Sequence, residues 1–352
     1  MHVPFLDLAR QDAPLRVALN HAYRRVVASG RLLFGPELRA FEAELGAWLG
    51  GRHVVGVASG TDALEIALRA SGLEPGEPVQ TTAFTAVATI NAIEAAGGIP
   101  VLRDVDPQTR NADAWQPGTR RCRMAVGVHL YGLPCRLPTW ESAVEDVAHA
   151  LGARLDGRRV GALGRVAALS FYPTKNLGAL GDGGAVVTDD DGLAARAREI
   201  RHYGGLDRGD VTSRGLNSRL SELQAAFLRV KLPRLDDWNA RRRAIAARYR
   251  ASLAGRVGLP TEPAGGESVY HLFVIEHPER ERLAQGLAHA GIGTMVHYPK
   301  ALHEHSRYAA LAEPGQFPVA ERLARTVLSL PCFPELTDAE VDRVIAALRD
   351  LT

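Results

Sequence analysis

Three places along this chain of 352 residues carry side chains with chemistry to offer. The first is Lys175, in Ser170-Phe171-Tyr172-Pro173-Thr174-Lys175-Asn176, followed by Leu177-Gly178-Ala179-Leu180-Gly181-Asp182-Gly183-Gly184. So many glycines in so short a run make the following segment a loop with close backbone approaches, an unusual setting for a solvated surface charge. Only three of the 42 basic residues are lysines, namely Lys175, Lys231 and Lys300. Arginine stands almost everywhere that a plain positive charge suffices, which marks the lysines as candidates for chemistry that needs a primary amine, although a GC-rich genome produces the same bias. The second place is Asp146, in Glu145-Asp146-Val147-Ala148-His149, after an apolar strand end. Ligands of open α/β sheets bind outside the carboxyl ends of the strands. The third is Ser59-Gly60-Thr61, where a strand meets a helix and unpaired N–H groups with a positive dipole end suit a phosphate. Taken singly, Ser59 reads first as an N-cap and Asp146 as a helix cap.

The elements that must position these residues follow from hydrophobic periodicity. Residues 14–50 read as helix. HVVGVAS is a strand running into the amphipathic SGTDALEIALRAS, and PVQTTAF precedes the helix AVATINAIEAAG. IPVLRDVD and RMAVGVHLYG are strands, and SAVEDVAHALG continues the alternation; VAALSFYPT and GGAVVTDD flank the Lys175 loop and are candidates to pair with each other. Strand–helix alternation over about 50–190 predicts an α/β layer with a mostly parallel sheet. A long helical stretch, interrupted at Pro233, leads to the Pro/Gly-rich LPTEPAGGES, then the strand YHLFVIEHP, the helix ERLAQGLAHAG and a second strand, GTMVHYP. The division expected is 1–234 for N-terminal helices and a large α/β domain, and 235–352 for a smaller α+β domain.

Phosphate cradle, acid and amine thus fall, in that order, at strand ends of one layer. A pyridoxal cofactor needs those three things: a seat for its phosphate, an acidic partner for its ring nitrogen and a lysine for its aldehyde. Composition sets the outer limits. The apolar fraction of 46%, the charged fraction of 23% and the net charge of +2 are those of an ordinary globular protein and indicate neither nucleic acid nor a membrane surface as partner. Cys122, Cys135 and Cys332 lie far apart, so neither a disulfide framework nor a zinc site is expected, and the 12 histidines show no metal spacing. No basic start with an apolar run opens the chain, and no apolar stretch approaches about 18 residues, so a cytoplasmic location is expected. A Rossmann-type dehydrogenase is excluded by the lack of GxGxxG after the first strand.

The pieces SGTDAL, TAVATINAI, PVLRDVDP, VHLYG, EDVAHALGA, SFYPTKNLGALGDGGAVVT, NSRLSELQAAFLRVKL and HYP together resemble the DegT-type family of nucleotide-sugar aminotransferases over nearly the whole chain. The resemblance implies a fold type I enzyme dependent on pyridoxal 5'-phosphate (PLP), with a mostly parallel seven-stranded sheet. It implies Lys175 as the Schiff-base lysine and proton carrier, Asp146 as partner of the ring nitrogen, and Ser59, Gly60, Thr61 and Ser170 as phosphate binders. Asn217 matches an asparagine given to the phosphate by a neighbouring subunit, which implies a homodimer with shared sites. His149 stands beside the position of the ring oxygen, and Tyr203, His297 and Tyr298 fall in segments near the sugar. Where many members stack an aromatic residue on the ring, this chain has Ala86; Val147 and Leu133 are smaller departures.

The implied reaction is a ping-pong transamination from L-glutamate to a nucleotide-linked keto-6-deoxyhexose. The branch resembled aminates C3 of a dTDP-linked sugar, with C4 amination of a dTDP- or GDP-linked sugar as the alternative. A sugar dehydratase of the same fold would carry His in place of Lys175, and a silent regulatory homologue would be free to lose the site. Of the remaining residues, Lys300 is expected in a surface salt bridge, Lys231 as a solvated charge and His271 as a packed core histidine.

Overall fold

A computed structural model describes residues 2–112, 115, 122–139, 142–205 and 210–352 of the chain. Its main layer grows from short Val/Ala-rich runs separated by glycine and proline turns: β1 (His53–Val57), β2 (Pro78–Thr82), β3 (Ile99–Arg103), β4 (Met124–Val128), β5 (Ala143–Asp146), β6 (Val166–Ser170) and β7 (Gly184–Thr188). They form one seven-stranded sheet in the order β1-β7-β6-β5-β4-β2-β3. The stretch from β6 through β3 is parallel, whereas β7 runs antiparallel to both β1 and β6. The expected pairing of VAALS with GGAVVT is therefore present, closed by Ser170 opposite Gly184.

Period-two alternation gives the sheet two apolar faces. Val166 and Ala168 enter one buried cluster, Ala167 and Leu169 the other. The N-terminal helical stretch is divided: α1 (Leu8–Asp12), α2 (Arg16–Ser29) and α3 (Pro36–Trp48). The break between α2 and α3 comes at Gly30, left-handed at φ +64, and ends at Pro36, which opens α3. α4 (Gly60–Ala70) and α5 (Val87–Ala95) contribute to the first cluster, as does α6 (Asp191–Ile200). α3 and α7 (Glu222–Lys231) contribute to the second. One residue of the NSRLSELQAA motif explains how those two helices join. The buried Glu222 carboxylate accepts the N–H groups of Gly35 (2.9 Å), Glu37 (2.8 Å) and Leu38 (2.9 Å), an anion on the open N-terminus of α3.

Beyond a 3₁₀ turn at Leu232–Arg234, which contains Pro233, α8 (Leu235–Leu253) leads to β8 (Phe273–Glu276), α9 (Arg280–His289), α10 (Pro318–Thr326), β9 (Val327–Leu330) and α11 (Asp338–Leu351). β8 and β9 pair antiparallel over a third core formed by α8, α9 and α11. GTMVHYP is not the strand expected. Only Met295 bridges, to Ser329, and the partner that β8 finds is β9. Pro299, which has no N–H to give a ladder, ends that segment. Among the described residues no helix is long and apolar enough to cross a membrane.

Candidate active site

The carboxyl ends of β1, β5 and β6 converge on a cavity of about 230 Å³. At the β1 end the chain turns into α4, and Ser59 is the N-cap: its Oγ accepts the N–H of Asp62 at 3.1 Å and donates to Asp62 Oδ1 at 2.9 Å. An α-helix leaves its first four N–H groups without an intrahelical acceptor, and the cap uses one of them. Among the described residues the N–H groups of Gly60 and Thr61 find no acceptor, and both residues line the cavity with Ser170, whose hydroxyl accepts the Tyr172 N–H at 3.3 Å. A Cβ on Gly60 would lie 2.6 Å from Ser170 Cβ, and one on Gly184 would collide with the Ser59 carbonyl oxygen. Glycine at both positions lets β6, β7 and the α4 N-terminus close onto one another. Ser59 therefore serves first as the cap, which leaves its hydroxyl less free than a phosphate ligand's would be.

Asp146 ends β5 and faces the same cavity. Its Oδ1 accepts the Ala148 N–H and its Oδ2 accepts the Thr89 hydroxyl, both at 3.1 Å. Burial pushes its carboxyl above the usual aspartate range, while Ala148, Thr89 and the Lys175 charge act in the opposite direction. A cation set against the free edge of this buried acid would hold it ionised. The preceding residue has a different task. Glu145 turns to the other face of the sheet and accepts three backbone N–H groups, from Gly161 (2.7 Å), Leu163 (2.9 Å) and Gly164 (2.6 Å).

Lys175 follows β6 in a turn closed by its own N–H on the Tyr172 carbonyl at 2.8 Å. What exposure its side chain keeps is to the cavities it lines. Burial lowers its amine to about 8, partly opposed by the Asp146 carboxylate. Its neighbour Asn176 anchors the turn: the Asn176 amide donates to Asn239 Oδ1 at 2.7 Å and its carbonyl meets His271 Nδ1 at 3.0 Å.

A second, larger cavity of about 520 Å³ shares Lys175, Tyr172 and His149 with the first and is also lined by His271, His297 and Tyr298. The Tyr131 N–H donates to His149 Nδ1 at 3.3 Å, so the proton of the ring sits on Nε2, a donor. Burial first, then the Lys175 charge, hold His149 well below the usual imidazole range. His271 is buried as expected, its ring 4.6 Å from that of His149. His297 meets the Ser329 hydroxyl at 2.9 Å and is brought down to about 4 by burial and by Lys175. The cavity walls near the expected ring position carry Ala86, Ala88 and Ala148, so no aromatic side chain stacks from Ala86.

Ser59, Gly60, Thr61, Asp146, His149, Ser170 and Lys175 are thus brought together, and His297 and Tyr298 join them from the C-terminal region. Tyr203 and Asn217 do not join: both are exposed and line neither cavity within this chain, and they lie at the isolated bridge between His202 and Asn217. Lys231 is not a solvated charge. It is 2% exposed, with Nζ 2.7 Å from Asp12 Oδ1. Lys300 is exposed as expected but has no salt bridge among the described residues. Thr89 and Asn176 were not singled out from sequence. Thr89 lies on the first turn of α5 within TAVATINAI, and Asn176 directly follows the lysine, but an amide or a hydroxyl has no spacing that betrays its partner.

Residues 15–349 match the DegT/DnrJ/EryC1/StrS aminotransferase family. The chain is 46% identical to the erythromycin biosynthesis sensory transduction protein EryC1 of Saccharopolyspora erythraea, covering 99% of each chain. It is 44% identical to the dTDP-3-amino-3,4,6-trideoxy-alpha-D-glucose transaminase of Streptomyces venezuelae, covering 99% of this chain and 96% of that one. The crystal structure of S. venezuelae DesV in complex with a ketimine intermediate superposes with a TM-score of 0.94 at 44% identity, over 99% of this chain and 98% of the other.

Proposed function

Since the chain belongs to the DegT/DnrJ/EryC1/StrS aminotransferase family and is a PLP-dependent sugar aminotransferase, we propose that it transfers an amino group from L-glutamate to C3 of a dTDP-linked 3-keto-6-deoxyhexose. The observation that carries the reaction is the placement of Lys175 and Asp146 on one cavity, close enough for each charge to act on the other through space. The carbon and the nucleotide are supported by the likeness to the S. venezuelae transaminase, which is named for a dTDP-linked 3-amino sugar. When bound, PLP supplies an aldehyde that joins an amine and a protonated ring that draws electrons from the substrate α-carbon.

The residues present fit that group. Gly60 and Thr61 N–H, at the positive end of α4, and the Ser170 hydroxyl receive the phosphate. Asp146 holds the ring nitrogen protonated, its own charge stabilised by that cation and by Thr89 and Ala148. His149 offers its Nε2–H to the ring oxygen and stays neutral while doing so. Lys175 Nζ would anchor the cofactor and, as a free amine, would move the proton from the donor α-carbon to the cofactor; an amine near 8 is suited to hold and to release a proton at neutral pH. In the second half-reaction the same amine would carry a proton from the cofactor back to the sugar carbon. His297 and Tyr298 face the larger cavity, where the sugar would stand.

Asn217 is assigned to the phosphate of a second copy's site, with Tyr203 near that copy's sugar. Their exposure, and a run of exposed apolar residues on and after α2 (Val17, Tyr23, Val27, Leu32, Leu33), support a homodimer. We assign the domains as 1–234 and 235–352. C4 amination is the alternative within the class, and NMR of the products from dTDP-linked 3-keto and 4-keto sugars separates the two. The name of the S. erythraea relative raises a regulatory role; a visible cofactor band that bleaches with L-glutamate speaks for the enzyme, and a band that persists against it.

A further inference from the structure

A chain of amides fixes the proton of a second histidine at the larger cavity. The Leu151 carbonyl can only accept, and it takes the Asn239 Nδ2–H at 3.0 Å. Asn239 Oδ1 is thereby the acceptor end, and it receives the Asn176 Nδ2–H at 2.7 Å. The same Nδ2 also donates to the Val269 carbonyl at 3.3 Å, so Asn176 Oδ1 is left to accept. Its partner at 3.0 Å is His271 Nδ1, which must therefore carry the ring proton. His271 Nε2 is then a bare lone pair, the reverse of His149, whose Nδ1 accepts the Tyr131 N–H.

His271 is 7% exposed and lines the cavity together with Lys175. Its Nε2 makes no hydrogen bond among the described residues and is not sealed in the core, so it opens to that space. Burial first, then His149 and Lys175, hold the ring well below the usual imidazole range, and it stays a neutral acceptor. Tyr270, left-handed at φ +43, turns the chain just before it. The Tyr270 hydroxyl on Glu262 Oε1 (2.7 Å) and the Tyr270 N–H on Ser268 Oγ (3.1 Å) hold that turn. No aspartate or glutamate lines this cavity. A neutral lone pair receives a hydroxyl, whereas the carboxylates of an amino acid offer it no proton. The bond to Asn176 sets the ring against the Lys175 turn, within reach of groups beside the reacting carbon.

We propose that His271 Nε2 accepts a hydroxyl of the sugar, on a carbon next to the one aminated, and so orients the sugar towards Lys175. The inference rests on the sugar aminotransferase reading and names a specificity contact within it. The test uses the PLP-loaded protein and dTDP-linked 6-deoxyglucose with its 2-deoxy and 4-deoxy forms, titrated by calorimetry. Wild type is expected to bind one of the two deoxy forms about tenfold more weakly than the parent. His271→Asn keeps an N–H for Asn176 Oδ1 but removes the Nε2 acceptor, and is expected to lose that difference. A histidine that only braced the fold would, on replacement, weaken every sugar alike and leave the difference in place. Equal binding of parent and both deoxy forms by wild type, or a difference that persists in His271→Asn, overturns the proposal. If the variant does not fold, a wild-type holoenzyme crystal soaked with the parent sugar decides: a hydroxyl on His271 Nε2 supports the proposal, and any other neighbour there refutes it. Bleaching of wild type by L-glutamate is read separately. A deoxy penalty that vanishes in His271→Asn, without bleaching, supports the hydroxyl contact and refutes L-glutamate as the donor; bleaching without a penalty does the reverse.

Discussion

At the carboxyl end of β6 one lysine faces a cavity, and at the carboxyl end of α7 another is sealed beneath α1. Lys175 and Lys231 have both been withdrawn from water, yet they are opposites chemically. Lys231 meets Asp12 at 2.7 Å, and the pair ties α1 to α7. Lys175 forms no ion pair among the described residues; Asp146 acts on it only through space, and its amine falls to about 8. Burial with a partner yields a structural cation, whereas burial without one yields an amine that gives up its proton readily. Reactivity is therefore a property of the pairing, not of the residue type or its depth.

Removing the unpaired amine is expected to have the largest effect. Lys175→Ala should slow the donor half-reaction by about 10²–10⁴-fold from lost proton transfer alone, with melting temperature nearly unchanged; single-turnover bleaching with L-glutamate measures it, and retained turnover would defeat the assignment. At the paired lysine the pattern should reverse. Asp12→Asn leaves the Lys231 charge buried and alone, and should cost about 3 kcal/mol in urea unfolding. Lys231→Met leaves only the partly exposed Asp12 and should cost about 1 kcal/mol, with cofactor loading intact in both. If both substitutions were neutral, the ion pair would have no structural role.

The pH dependence sharpens the contrast further. Capture of PLP by the apo-protein needs the neutral amine, so its rate should rise with pH to an inflection near 8, well below the value of about 10.4 for a free lysine. Asp146→Asn removes the charge that raises the Lys175 pKa and should move that inflection downward; an upward shift in stopped-flow absorbance would contradict the coupling. The smallest effect is expected for Thr89→Val, which takes one hydrogen bond from Asp146. A loss of about 1 kcal/mol, or several-fold in rate, is expected, and an unchanged rate would show that Ala148 alone holds the carboxylate.

Much of the catalytic layer was legible in the chain because its signals are local. Strand alternation, the glycine run after Lys175 and the small residues at 59–61 each have a steric or dipolar cause within a few residues of themselves. The misreadings share another origin. Lys231 sits on a helix whose pattern looks solvent-facing, and its partner Asp12 lies far upstream. GTMVHYP has strand-like residues, but only Met295 pairs with Val327–Leu330, whose other edge is taken by Phe273–Glu276. Thr89 and Asn176 carry no periodic signal at all.

The sequence by itself determined the order of cradle, acid and amine, the alternation that builds a sheet to hold them, and, by family likeness, the cofactor they serve. Only the tertiary structure decided which buried lysine is left unpaired and which tautomer His149 holds. Those properties depend on desolvation and on partners brought together from distant parts of the chain, and no local pattern of residues encodes either one.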